Sequence, residues 1–209
     1  MNDIVQILKD VGGVITDSHI VYTSGKHGSV YINKDALYPH TELSSKVGMM
    51  FAEKNKDLDI EVVCAPALGG IILSQWTAYH LSKLKSKEIL GIYTEKDAEK
   101  NQVFTRGYNK LVKGKNVLVI EDLTTTGGSV LKVVNSVRTA GGKVIAVSVM
   151  VNRNPEQVNE QMMGAPFNAL GIIKAEAFDE KDCPLCEKKV PINTSVGHGK
   201  KYMETKKLQ

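Results

Sequence analysis

The chain has 209 residues, of which 42% are hydrophobic, and a formal net charge of +4 at pH 7. That size suits one sizeable domain with a closed core and leaves little room for two full domains. No apolar run approaches the roughly 20 residues that span a bilayer, and the polar residues among the first eleven are unlike a signal peptide, so we expect a cytoplasmic protein with no membrane partner. The lysines near the end of the chain predict a solvated tail, and no nucleic-acid partner is expected.

The first forty residues predict a small region of short elements. An opening helix is marked by four apolar residues at helical spacing, namely Ile4, Ile7, Leu8 and Val11. Gly12 ends this helix, and the β-branched and aromatic residues of 14–33, interrupted by a turn at 24–28, predict a hairpin-like piece. A second helix is expected from about Thr41.

The middle of the chain alternates apolar strands with helices. We predict strands at 60–65, 89–94, 116–121 and 143–151, and helices at 70–84 and 128–140. This pattern is typical of the α/β class, with a central parallel sheet flanked by helices. We expect one domain over 1–209, with a core at about 41–155 and a small hood formed by about 1–40 and the C-terminal segment.

Three loops follow predicted strands, at the edge where open α/β sheets bind ligands. They span residues 66–70, 95–108 and 121–129. The middle loop is too polar for a core element, so we predict a mobile, structureless flap there.

The most informative stretch is 117–129, an apolar strand that ends in Glu121 and Asp122 and is followed by a turn that opens a helix. A helix N-terminus offers unpaired N–H groups and partial positive charge, and glycines allow close approach of an anion. A monophosphate is therefore expected on residues 125–129, beside two acids that can accept hydrogen bonds from sugar hydroxyls. The candidate binding residues of the turn are Thr124, Thr125, Thr126, Gly127, Gly128 and Ser129.

Two other phosphate-binding motifs are excluded. An ATP-binding P-loop requires Gly-Lys-Ser/Thr, whereas Gly128 is followed by Ser129 and Val130. The dinucleotide fingerprint G-x-G-x-x-G is also absent.

The stretch 117–129 resembles the phosphoribosyl pyrophosphate (PRPP) signature of type I phosphoribosyltransferases. The resemblance implies that Glu121 and Asp122 bind the ribose hydroxyls and that the turn holds the 5′-phosphate. It also implies Mg²⁺ as the cofactor and a homodimer whose flap reaches into the neighbouring site.

Residues 22–33 resemble the base-binding segment of orotate phosphoribosyltransferases, and the likeness extends over roughly residues 10–155. Two adjacent aromatics flank the pyrimidine in that family, and the matching positions are Tyr31 and Ile32, so one ring is replaced. Lys26 of the same segment is carried over as a substrate-binding candidate. Arg153 resembles the strand-end arginine that pairs with the carboxylate of orotate, a role that suits its planar fork.

Two loops are expected to contact the pyrophosphate. The stretch 64–71 resembles the family's pyrophosphate loop, which implies contacts from Ala67, Leu68 and Gly69. Lys96 and Lys100 of the flap are candidate catalytic residues, together with Glu121 and Asp122.

The sequence departs from the orotate pattern at several positions. The flap has no histidine from 91 to 108, Gly69 replaces a lysine that many relatives carry, and Thr23 stands where a base-contacting lysine is common. These departures leave open a phosphoribosyltransferase for another base, such as a purine or xanthine. A regulator that only senses PRPP is an alternative of a different class.

Cys183 and Cys186 have the spacing of half a zinc site. A structural zinc usually needs four ligands, and only Cys64 and scattered histidines remain. Thiolates paired across a dimer, a reactive thiol pair and an ordinary C-terminal turn all stay open, and the turn is the simplest interpretation.

Overall fold

The computed structural model describes residues 3–22 and 24–207. Its helices are α1 Ile4–Asp10, α2 Thr41–Asn55, α3 Gly69–Lys85, α4 Asn109–Val112, α5 Gly128–Thr139, α6 Glu160–Met163, α7 Pro184–Glu187 and α8 Gly199–Lys207. Its strands are β1 Val14–Ile15, β2 Ile20–Val21, β3 His27–Gly28, β4 Tyr31–Ile32, β5 Val62–Pro66, β6 Leu90–Lys96, β7 Gln102–Val103, β8 Asn116–Thr124, β9 Lys143–Asn152 and β10 Phe167–Ile172. Two single 3₁₀ turns lie at Lys34–Ala36 and Glu180–Asp182.

The central sheet has six strands in the order β10-β9-β8-β5-β6-β7. The first five strands are parallel, and β7 is antiparallel to β6. The predicted α/β class is therefore confirmed, with a mixed rather than purely parallel sheet. The sequence pattern did not predict β10, which extends the sheet beyond residue 155.

The central strands contain continuous apolar runs because both faces of the sheet are covered. Val63 and Leu118 pack in one buried cluster with α1, α2 and α3. Their neighbours Val62 and Val117 point the other way and pack against α5. Successive side chains of a strand alternate between faces, so burial on both sides requires the continuous apolar runs seen in the sequence.

The N-terminal region adds two small antiparallel pairs, β1 with β4 and β2 with β3. The C-terminal segment, which follows β10, pairs with the β2–β3 hairpin. The two bridges join His19 to Ile192 and His27 to Phe178. The two ends of the chain are thus joined by backbone hydrogen bonds.

The prediction that 95–108 is structureless is wrong. Strand β6 runs to Lys96 and turns into β7, with Glu95 opposite Val103. The polar residues satisfy the turn, because the Asp97 carboxylate accepts the Asn101 N–H at 2.8 Å. At the buried end of this hairpin, the hydroxyl of Thr94 donates to Gln102 Oε1 at 2.8 Å.

No helix within the described ranges is both long and apolar enough to cross a bilayer.

Candidate active site

The carboxyl ends of the parallel strands border two adjoining cavities. The first, which we call the acid-lined cavity, has a volume of about 240 Å³ and is bordered by the loop after β5, Lys96, both acids of β8 and Ser129. The second, which we call the Arg153 pocket, has a volume of about 450 Å³. Lys34 and Leu123 line both cavities, so the two spaces are neighbours.

Glu121 and Asp122 are buried in the wall of the acid-lined cavity, with 6% and 5% of their surfaces exposed. They lie within β8, which continues to Thr124 rather than ending at Glu121 as predicted. Burial raises the pKa of Glu121 well above its usual range, and the adjacent charge of Asp122 raises it further. Two buried acids side by side are costly for stability, which is typical of a functional site.

Lys34 and Tyr38 hold Asp122, and the sequence reasoning missed both. The Lys34 Nζ lies 3.1 Å from Asp122 Oδ2, and the Tyr38 hydroxyl donates to the same oxygen at 2.8 Å. Burial acts to lower the pKa of Lys34, but the charge and hydrogen bond of Asp122 outweigh it, and the pKa is raised. Burial, followed by the charge of Asp122, raises the pKa of Tyr38. In the sequence, Lys34 directly follows the segment that resembles a base-binding segment. Its partner Asp122 is 88 positions away along the chain, so no local pattern connects the two residues.

The turn before α5 has the backbone form expected of an anion cradle. Gly127 has a left-handed φ of 74°, and a Cβ at this position would lie 2.8 Å from the side chain of Met162. The Thr124 hydroxyl accepts a hydrogen bond from the Gly127 N–H at 3.1 Å, so the Thr124 side chain stabilises the turn. Thr125 and Thr126 are exposed and line the Arg153 pocket. Gly128 opens α5, and Ser129 faces the acid-lined cavity.

The loop after β5 has a cis peptide bond between Ala67 and Leu68. The Ala67 N–H donates to the Thr94 carbonyl at 2.8 Å. The backbone N–H groups of Leu68 and Gly69, at the start of α3, are therefore the donors that this loop can offer to a ligand. A Cβ on Gly69 would lie 2.3 Å from Asp122 Oδ2 and 2.4 Å from the Tyr38 hydroxyl. A lysine at this position would therefore require Asp122 or Tyr38 to shift, and in this chain Lys34 supplies the cation beside Asp122.

The flap brings only one of its two candidate lysines to this chain's site. Lys96, at the end of β6, lines the acid-lined cavity. Lys100 lies in the β6–β7 turn, where its carbonyl accepts a hydrogen bond from Lys132 Nζ at 2.7 Å, and it does not line the cavity.

The Arg153 pocket collects most of the residues expected to contact the base. Arg153 follows β9, and its guanidinium carbon lies 4.9 Å from the centroid of the Tyr22 ring. Its buried Nε has no hydrogen-bond partner among the described residues. Tyr31 and Ile32 also line the pocket, although Ile32 is only 4% exposed and packs mainly in the core.

One substrate-binding candidate is not brought to either cavity. Lys26 is exposed on the hairpin, and its Nζ lies 3.7 Å from an Asp179 carboxylate oxygen. The neighbouring Thr23 lies outside the described residues.

Comparison with known proteins connects this geometry to a family. The family profile described as "Phosphoribosyl transferase domain" matches residues 33–164. An orotate phosphoribosyltransferase from a Thermoanaerobacter species is 35% identical over 180 residues, covering 86% of this chain and 89% of the relative. The orotate phosphoribosyltransferase of Mycobacterium tuberculosis, solved in complex with Fe(III) dicitrate, has a TM-score of 0.65 at 23% identity and covers 82% of this chain and 97% of its own. The same enzyme solved with PRPP has a TM-score of 0.61 at 21% identity, with coverages of 82% and 96%.

Proposed function

The chain belongs to the phosphoribosyltransferase family, and from that premise we propose that it transfers ribose 5-phosphate from PRPP to orotate, giving orotidine 5′-monophosphate and pyrophosphate. The observation that carries the proposal is the pair of adjoining cavities. One cavity offers acids and backbone donors for a phosphorylated sugar, and the other offers an arginine and an aromatic ring for a planar, negatively charged base.

The donor substrate would lie across the turn and the acid-lined cavity. Its 5′-phosphate would accept hydrogen bonds from the N-terminus of α5 and from the hydroxyls of Thr125, Thr126 and Ser129. Glu121 and Asp122 would accept hydrogen bonds donated by the ribose hydroxyls. Because Lys34 and Tyr38 hold one oxygen of Asp122, this carboxylate is oriented before the substrate arrives.

The reaction requires charge stabilisation rather than a covalent nucleophile. The bond from the anomeric carbon to pyrophosphate breaks, a bond to the base nitrogen forms in its place, and the proton of that nitrogen is released to the pyrophosphate or to solvent. Positive charge develops on the ribose beside the two acids, while negative charge develops on the departing pyrophosphate beside Lys96 and the N–H groups of Leu68 and Gly69. Closure of the β6–β7 hairpin over the site would exclude water, which would otherwise hydrolyse the activated sugar.

The donor set also suits the Mg²⁺ ion implied by the family. Carboxylate oxygens of Glu121 and Asp122 border the acid-lined cavity, and Mg²⁺ binds through one or two carboxylates together with substrate phosphates. When bound, the ion would neutralise charge on the pyrophosphate.

Selectivity for orotate would come from Arg153. A half-buried guanidinium that lines the pocket can meet the carboxylate that uracil and purines lack. Tyr31 would cover one face of the ring, and the region 1–40 with the C-terminal segment would act as the hood of this pocket within a single domain.

We also propose a homodimer. Lys100 does not line this chain's own cavity, and in a dimer it would be available to the neighbouring site. Lys26, likewise exposed, remains a substrate-binding candidate only in such an assembly or after movement of the hairpin.

The test is turnover with Mg²⁺ and PRPP against orotate, uracil, adenine, hypoxanthine and xanthine, with separation of the nucleotide products. We expect orotidine 5′-monophosphate and no product from uracil. A purine nucleotide as the main product would show that the base is a purine rather than orotate, and the protein would still be a phosphoribosyltransferase. PRPP binding without turnover of any base would favour the regulator.

A further inference from the structure

Four potential metal ligands from opposite ends of the chain meet at one point away from the active site. His19 and His27 come from the β2–β3 hairpin, and Cys183 and Cys186 come from the C-terminal segment. Their ligand atoms all lie within 4.8 Å of one another. We propose that these side chains bind a structural Zn²⁺ ion that fastens the C-terminal segment to the N-terminal hairpin.

Three nitrogen–sulfur distances in the cluster fall in the range of tetrahedral zinc-site edges, and the distance between the two imidazole nitrogens is somewhat shorter than such an edge. The His27 Nδ1 lies 2.9 Å from His19 Nε2 and 3.3 Å from Cys186 Sγ. The His19 Nε2 lies 3.6 Å from Cys186 Sγ and 3.8 Å from Cys183 Sγ. Zinc bonds of about 2.0–2.1 Å to nitrogen and 2.3 Å to sulfur give tetrahedral edges of about 3.3–3.8 Å, so small shifts admit the ion.

The imidazole of His19 is oriented for metal binding. Its Nδ1 lies 2.7 Å from the Val190 carbonyl oxygen, and a carbonyl only accepts, so this nitrogen carries the proton. The lone pair of Nε2 therefore points at the cluster. A hydrogen bond from the second ring nitrogen to a backbone carbonyl is the usual support of a zinc-bound histidine.

Burial and charge also suit zinc. His19, His27 and Cys183 are at most 2% exposed, and Cys186 is half-buried. Two thiolates and two neutral imidazoles around Zn²⁺ give a complex with no net charge, which can be buried at little electrostatic cost. Thiolate ligands are soft and do not suit Mg²⁺, so this site is chemically distinct from the acid-lined cavity.

The C-terminal segment needs a cross-link because it has almost no core of its own. Beyond Ala165, Cys183 is the only described residue with a buried side chain. The segment is also held by backbone pairing, such as the two 2.8 Å hydrogen bonds between His27 and Phe178, and by side-chain contacts such as the 3.0 Å hydrogen bond that Asn193 Nδ2 donates to the Ser18 hydroxyl. Small regions without a sufficient core are commonly stabilised by a structural metal.

The position of the cluster gives the metal a role in shaping the active site. Tyr22 and Ser24 of the same hairpin line the Arg153 pocket, as do Ala175, Ala177 and Gly197 of the C-terminal segment. An ion that joins the hairpin to the segment therefore fixes two walls of this pocket relative to each other.

The test is elemental analysis of the full-length, untagged protein, with cobalt substitution as an independent readout. We expect about one zinc per chain, as a single four-ligand site requires. After chelation and addition of Co²⁺, we expect the intense visible bands of tetrahedral cobalt and a thiolate charge-transfer band. Cys183→Ser and Cys186→Ser should lose the zinc and the charge-transfer intensity. Cys64→Ala should keep both, because it removes the remaining thiol, which lies in the core.

Cys186→His keeps the proposal testable if the serine variants fail to fold. It retains four ligands, so it should bind one Co²⁺ with a tetrahedral spectrum and a weaker charge-transfer band. Wild-type protein without zinc and with only the pale spectrum of octahedral cobalt would overturn the proposal. Iron in place of zinc, or full zinc content in Cys183→Ser, would overturn it too.

Discussion

Replacing Arg153 by glutamine should make the enzyme nearly indifferent to the carboxylate of orotate. Breaking a buried ion pair by truncating one partner costs about 3–5 kcal/mol, whereas an exposed pair contributes about 0–1 kcal/mol. Arg153 is half-buried, but its Nε is fully buried and unpaired in the described chain, so we take the lower end of the buried range. About 3 kcal/mol corresponds to a loss of about 100-fold in kcat/KM for orotate.

Steady-state kinetics with each substrate varied in turn measures this loss. The KM for PRPP should hardly change, because the donor substrate is assigned to β8, the turn before α5 and the loop after β5. Lys174→Gln is the matched control, since Lys174 follows β10 at the same sheet edge and forms an exposed 3.1 Å ion pair with Glu156. It should stay within about fivefold of wild type. Normal orotate turnover by Arg153→Gln, or an equal loss in the control, would refute the reasoning.

Three further predictions follow from the acid-lined cavity and the flap. Tyr38→Phe removes a hydrogen bond to the charged Asp122 carboxylate, which is worth about 1.5–3 kcal/mol. The value of kcat/KM should therefore fall about tenfold or more, while circular dichroism shows an intact fold. An unchanged kcat/KM would show that Tyr38 has no role in the site. The pKa of Glu121 is raised on folding, by burial first and then by the charge of Asp122, so stability is lost as pH rises from 4.5 through the raised value. Glu121→Gln should therefore raise the Tm at pH 8 while lowering activity, and this Tm gain should disappear below pH 4.5; a lower Tm at pH 8 would contradict the assignment. If Lys100 serves the neighbouring site of a homodimer, mixing inactive Lys100→Ala and Asp122→Asn subunits should restore about a quarter of wild-type activity, since half of the dimers are hybrids with one intact site; no recovery would exclude action across the dimer.

The sequence determined the parts of the fold that depend on local pattern. Apolar strands alternating with helices predicted the α/β class, because a sheet buried on both faces needs apolar residues at successive positions. The order of acids, hydroxyls and glycines in 117–129 predicted a sugar-phosphate site, because a strand, a tight turn and a helix N-terminus are adjacent along the chain. That prediction is consistent with the cavity lined by Glu121, Asp122 and Ser129.

The tertiary structure decided what depends on residues far apart in the chain. Lys34 and Tyr38 reach Asp122 only after the N-terminal region packs beside β8, so neither residue has a local signal. The polar segment after β6 becomes a hairpin because Thr94 and Asp97 find partners across the turn, which composition alone does not reveal. His19 and His27 lie more than 150 residues before Cys183, and only backbone pairing of the two chain ends brings them together. A local pattern records which surface of an element is buried, whereas the identity of the partner is set by folding of the whole chain.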